Sequence, residues 1–249
     1  MVAQPREPRA SRGTAWLVHA YTALGLLLAA AVAVLIVQGT DQALRSAFLL
    51  LAAALVVDAT DGTLARRYRV AEVVPEFDGR RLDDLIDFHT FATLPLLLIW
   101  RVDALPGALA GVLLVALLAS GFGFSRRDAK TEDGYFLGFP SSWNVVAFYI
   151  FFLEPPPGAT AAVVLGLAIL TVLPWKYLNP GQRQPLNVLT LLLGAGWGVL
   201  VVAILLRWVE GPAWVLASLV FPIYYMVVSW YITYRAWSGR PEEGPAVRR

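Results

Sequence analysis

Apolar residues run unbroken along this chain for about twenty positions at a time, and polar residues gather in the short gaps between the runs. Such runs read as membrane-spanning helices, because no soluble amphipathic element stays apolar on every face for that length. Eight spans are predicted: Ala15 to Val37, Ala43 to Ala65, Asp83 to Trp100, Leu105 to Phe124, Ser141 to Leu153, Thr160 to Pro174, Asn187 to Leu206 and Pro212 to Trp237. The fifth and sixth fall short of the roughly 20 residues a spanning helix needs, so little tilt, an earlier start or a thinned bilayer is expected there. The fold class is therefore an all-α polytopic membrane bundle of about eight transmembrane helices. The first run is too long for the apolar region of a signal peptide and counts as a span. Residues 1–14 and 238–249 are polar and read as cytoplasmic tails on a single membrane domain, 15–237. Glu154-Pro155-Pro156-Pro157-Gly158 stops the fifth helix, since consecutive prolines lack the donors a helix uses.

Composition agrees, with 58% hydrophobic residues and 15% charged in 249. With the amino terminus in the cytoplasm, 17 of the 20 Lys and Arg residues fall on that side, leaving Arg45, Arg101 and Arg207 outside. The positive-inside rule fixes that orientation. The net charge of +2 and pI near 9.0 reflect loops that face anionic lipid, with no basic domain for nucleic acid. The chain has no cysteine, so any metal must accept oxygen ligands: magnesium, manganese or calcium. No internal repeat is apparent, which disfavours a secondary transporter.

The candidate chemistry sits between the second and third spans, where Asp58, Asp61, Asp83 and Asp87 stand beside hydrocarbon. An ionisable group there costs several kcal/mol unless it is paired, so four together imply bound cations. At 100° per residue, Asp58, Asp61, Gly62, Ala65 and Arg66 share an arc of about 140°, and Asp83 and Asp87 share a helix face. Two carboxylates at the negative end of a helix dipole are unfavourable without a cation. Four supply enough oxygens for two divalent ions while leaving positions open for phosphate and water. Gly62, Ala65 and Gly79 leave room for a nucleotide or a backbone, and Arg66 is placed to pair with a phosphate. Asp84 points elsewhere and is expected to cap the third helix or meet its dipole. The alternative is an interfacial charge cluster in which these aspartates pair with Arg66, Arg67, Arg69, Arg80 and Arg81.

The segment Asp58-x2-Asp61-Gly62-x2-Ala65-Arg66-x12-Gly79-x3-Asp83-x3-Asp87 resembles the signature of the CDP-alcohol phosphotransferases at every fixed position. The spacer departs from most of the family, with twelve residues where eight are usual. A spacer of twelve is similar to that of the bacterial phosphatidylcholine synthase branch. Asp128-Ala129-Lys130-Thr131, then Gly138-Phe139-Pro140-Ser141-Ser142-Trp143-Asn144, and His19-x2-Thr22-Ala23-x-Gly25 resemble that branch as well.

The resemblance implies a CDP-alcohol phosphotransferase-like core in a bacterial inner membrane, with the site on the cytoplasmic face. It implies transfer of the phosphatidyl group from CDP-diacylglycerol to choline, manganese or magnesium as cofactor, and a homodimer. Asp58, Asp61 and Asp83 become metal ligands, and Asp87 both a further ligand and the base that takes the choline proton. Asp58, Gly62, Ala65, Arg66 and Gly79 line the nucleotide and diphosphate. Choline carries no donor on nitrogen and calls for aromatic faces, with Tyr135, Phe136, Phe139, Trp143 and Tyr149 as candidates. An ordinary interfacial aromatic belt accounts for the same residues. Trp143 is the preferred cage residue, Asn144 and Asp128 offer polar contacts, and His19 lines the site by resemblance. His89 points away from Asp87 and reads as a packing residue. Arg126 and Arg127 obey the positive-inside rule, and Lys130 is open between that role and a donor phosphate. The same signature serves serine, inositol phosphate or glycerol phosphate acceptors. A divalent-cation carrier is the remaining reading, against which the apolar outer halves of the spans weigh.

Overall fold

The structure is a computed structural model that describes residues 11–179 and 187–238. The two expected tails thus lie almost wholly outside the described residues. Helix α1 (Arg12–Gln38) begins three residues before the expected membrane domain, because Ser11 accepts a hydrogen bond from the Thr14 amide at 3.1 Å. It ends at Gly39, whose φ of 65° favours glycine. Helix α2 (Asp41–Arg67), capped by Thr40, runs back along α1 as an antiparallel hairpin. Each is about 40 Å long at 1.5 Å per residue, enough to cross a bilayer.

A single turn, α3 (Val70–Val73), leads to a continuous helical stretch made of α4 (Gly79–Asp87), a π-helical segment (Phe88–Thr93) and α5 (Leu94–Arg101). This third span starts four residues earlier than the apolar run predicts. The cap is Asp78, which accepts from the Arg81 amide at 3.0 Å, so Asp84 is neither a cap nor a first-turn residue. Pro95 explains the π segment. Its ring lacks a donor and crowds the carbonyl four residues back, and a widened turn relieves that clash. The Thr93 hydroxyl donates to the Phe88 carbonyl, five residues back, at 3.3 Å.

After a 3₁₀ turn at Gly107–Ala110 come α6 (Gly111–Ser125), β1 (Phe136–Leu137), α7 (Trp143–Leu153), α8 (Pro157–Val172), β2 (Lys176–Tyr177), α9 (Asn187–Leu205), α10 (Pro212–Ser218) and α11 (Val220–Trp237). The strands pair antiparallel, Phe136 opposite Tyr177. Among the described residues, five helical stretches are long and apolar enough to cross a membrane: Arg12–Gln38, Asp41–Arg67, Gly107–Ser125, Val188–Leu205 and Pro212–Trp237. Helices α7 and α8 have 11 and 16 residues and are short, as the fifth and sixth runs predict. The core packs Val32, Ile36, Phe48, Leu98, Ile99 and Trp143. Leu27 and Leu118, mid-helix, are 68% and 75% exposed, as side chains that face lipid are. The protein is an integral membrane helical bundle.

Its two ends differ. Arg45 and Arg207 share Asp41, at 2.8 and 2.7 Å, and the Arg101 guanidinium packs on Gly39. All three arginines expected outside therefore collect at one end of the bundle. The aspartates lie at the other.

Candidate active site

Three carboxylates converge where α2 ends and α4 begins: one oxygen each of Asp58, Asp83 and Asp87 lies within 4.8 Å of the other two. Asp61, one turn past Asp58, is buried. Helix α1 assembles the site by packing on both partners. The Tyr21 hydroxyl meets the Thr60 hydroxyl of α2 at 2.7 Å. On the α4 side the approach depends on two glycines: a Cβ on Gly25 would lie 2.5 Å from Ile86 Cγ2, and one on Gly79 2.5 Å from His19 Cε1.

Among the described residues none of the four aspartates forms an ion pair. The arginines expected to neutralise them are placed otherwise. Arg69 pairs with Glu72 at 2.6 Å, and Arg66 donates to Thr63 at 3.2 Å. One oxygen of Asp87 is buried without any partner. A buried carboxylate oxygen left unpaired costs several kcal/mol, and carboxylates gathered this closely repel one another. Both conflicts vanish when a divalent cation takes the oxygens. The donor set, all carboxylate and free of sulfur or imidazole, suits a hard cation.

The residues match a known family. The CDP-alcohol phosphatidyltransferase model fits residues 16–174. The chain belongs to that family. It is 42% identical over 185 residues to a phosphatidylcholine synthase of Pseudomonas aeruginosa, covering 72% of this chain and 75% of that one. It is also 34% identical over 181 residues to a phosphatidylcholine synthase of Borreliella burgdorferi, 71% and 75% of the two chains. A phosphatidylcholine synthase of Rhizobium meliloti is 32% identical over 219 residues, 88% and 90% of the two chains. CDP-alcohol phosphatidyltransferases are metal-assisted enzymes, and the acidic cluster of this one fits that chemistry.

The other candidate residues separate on inspection. Gly62 leaves space that the Arg66 guanidinium enters, 3.2 Å from where a Cβ would be. Ala65 packs toward Ala15, Val18, Val70 and Val74. The open face of Gly79 is filled by His19. That imidazole is buried, lies 4.4 Å from the Phe77 ring and 5.7 Å from Trp16, and leaves Nε2 without a partner.

Several of the aromatic candidates are engaged with the protein itself. Trp143 is 0% exposed, its indole N–H donates to Ser120 at 2.7 Å, and Phe139 meets it edge to face. Its faces are spent on the core, so the preferred cage residue of this transferase has no open face. Tyr135 is buried with the Lys176 ammonium over its ring. The Tyr149 hydroxyl bonds Ser218 and Trp197, on α10 and α9. The Asn144 oxygen accepts from the Val145 amide. Arg126 grips Asp128 with two hydrogen bonds and holds its carboxyl below the ordinary carboxylate range. His89 is exposed and bonds the Leu85 carbonyl of its own helix, so it packs against no neighbour through that nitrogen.

One feature escaped the sequence: the ring group of Trp16 and Phe77 around His19.

Proposed function

We propose that the protein is a phosphatidylcholine synthase that transfers the phosphatidyl group of CDP-diacylglycerol to choline, releasing CMP, at the cytoplasmic face of a bacterial inner membrane. The observation that carries the chemistry is the convergence of Asp58, Asp83 and Asp87 around an unpartnered oxygen of Asp87. The acceptor follows the phosphatidylcholine synthases to which the chain is similar.

Asp58, Asp61, Asp83 and Asp87 hold the cation in this reading. When bound, manganese or magnesium orients the diphosphate and neutralises charge growing on the leaving phosphate. Arg66, whose guanidinium pairs with no carboxylate among the described residues, donates to the diphosphate beside Gly62. The choline oxygen attacks the phosphorus that carries diacylglycerol. As that bond forms, the bond from phosphorus to the CMP oxygen breaks and CMP leaves with the electron pair. Asp87, one turn deeper than Asp83, takes the hydroxyl proton, late in the step because attack is what acidifies the hydroxyl. Of the acceptor-side candidates we retain His19, whose unpartnered Nε2 and ring neighbours lie beside Gly79. A homodimer belongs to the same proposal and rests on the family resemblance.

The test is CMP release from CDP-diacylglycerol by purified protein with choline, serine, inositol phosphate and glycerol phosphate in parallel. Choline-dependent release with phosphatidylcholine as product is expected. Release with another alcohol alone overturns the acceptor while keeping the metal chemistry.

A further inference from the structure

Arg101 differs from the other two arginines at its end of the bundle. Arg45 and Arg207 are both taken by Asp41. Arg101, exposed in the last turn of α5, forms no ion pair among the described residues, and neither does Asp103 two residues on. The two opposite charges nevertheless line one groove of about 450 Å³, together with Ile36, Val37, Leu97 and Trp100.

The backbone builds that arrangement. Gly39 ends α1 with φ of 65°, and a Cβ there would overlap the Arg101 guanidinium, so the bare glycine seats the arginine against α1. Asp103 has φ of 54°, a left-handed conformation that costs a residue with a side chain, and its amide donates to the Trp100 carbonyl at 3.0 Å. The carboxyl end of a helix favours a cation, which accounts for Arg101 where α5 stops. It disfavours an anion, so Asp103 calls for a positive partner that Arg101 does not provide. Val37 is 77% exposed and Trp100 58%, so the apolar wall of the groove opens toward lipid.

An apolar wall with one cation and one anion complements a molecule that carries an acyl chain, a phosphate and an ammonium. We infer that this groove binds a zwitterionic glycerophospholipid in the leaflet opposite the aspartates, its phosphate on Arg101, its head-group ammonium on Asp103 and a chain along Ile36, Val37 and Leu97. A guanidinium presents paired donors to a phosphate, and a tryptophan ring suits the headgroup level. An anionic lipid would satisfy Arg101 and bring no cation to Asp103. A second copy of the chain docked here would have to bury both charges. The site lies at the far end of the bundle from the carboxylates and holds whichever alcohol the enzyme uses.

Native mass spectrometry of the full-length protein in detergent, with equimolar phosphatidylcholine, phosphatidylethanolamine and phosphatidylglycerol of matched chains, tests it. Wild-type protein is expected to retain either zwitterionic lipid about 3- to 10-fold over phosphatidylglycerol. Asp103→Asn brings the three to within about 2-fold of one another, because the partner of the ammonium is gone. Arg101→Met lowers retention of all three about 3- to 10-fold, since each carries a phosphate, and Arg101→Lys falls between Met and wild type. Lipid held at the aspartate end responds to none of these substitutions. Melting of each variant in the same detergent checks the fold, and the exposed Asp103→Asn decides the matter if Arg101→Met does not fold. The inference is overturned if wild-type protein shows no preference, if Asp103→Asn leaves the preference unchanged, or if folded Arg101→Met retains lipid as wild type does.

Discussion

At the scale of single residues, the aspartates do what their spacing implies. Carboxylates three apart on one helix and four apart on the next can only face a shared space, and that periodicity is visible in a sequence. Asp87→Asn removes the base while keeping its size. About a 10²- to 10⁴-fold loss of turnover is expected, with CDP-diacylglycerol binding nearly retained. Binding lost together with turnover would assign Asp87 an essential metal-ligand role instead of a base. The contacts to choline were not legible in the same way. Aromatic identity says nothing of which way a ring points, and Trp143 points into the core, where its N–H finds Ser120. Gly79 shows the same limit. It was expected to admit a nucleotide, yet His19 occupies its face. Gly79→Ala should therefore cost about 1–3 kcal/mol in melting experiments through overpacking, and His19→Ala in the same chain should return part of it. Equal loss with and without His19 would mean that the clash is not with the imidazole.

At the scale of elements, boundaries moved while identities held. The third helix begins at Gly79 because Asp78 caps it, and an apolar run cannot reveal a polar first turn. That early start matters for the site: it puts a full turn of helix ahead of Asp83 and so fixes the rotation at which Asp83 and Asp87 face Asp58. Asp78→Ala should lower stability by roughly 0.5–2 kcal/mol in denaturation measured in detergent. No change would mean that tertiary packing alone sets the helix start. The two short strands were invisible in the pattern, since their pairing joins residues about forty positions apart, and the π segment before Pro95 leaves no trace in the apolar periodicity. The short lengths of α7 and α8 were visible, because prolines and the polar loop before Trp143 bound them directly.

At the scale of the whole molecule, the bundle is polar from end to end. Arg45, Arg101 and Arg207 gather at one end with Asp41, and the four aspartates at the other, with mostly apolar residues between. The loop charges alone imply that separation. It also disfavours a cation path through the bilayer, which needs polar groups at mid-depth. What the charges do not imply is the tie of α11 to β2, where the Ser229 and Thr233 hydroxyls accept from backbone amides of Leu178 and Lys176. The account stands on the acidic cluster being a cation site, and the most direct measurement is manganese binding followed by electron paramagnetic resonance on the purified protein. Wild-type protein should bind manganese, more tightly with CDP present, and Asp83→Asn should lose most of that binding while keeping its fold; equal binding by wild type and variant, or none by either, would contradict the account.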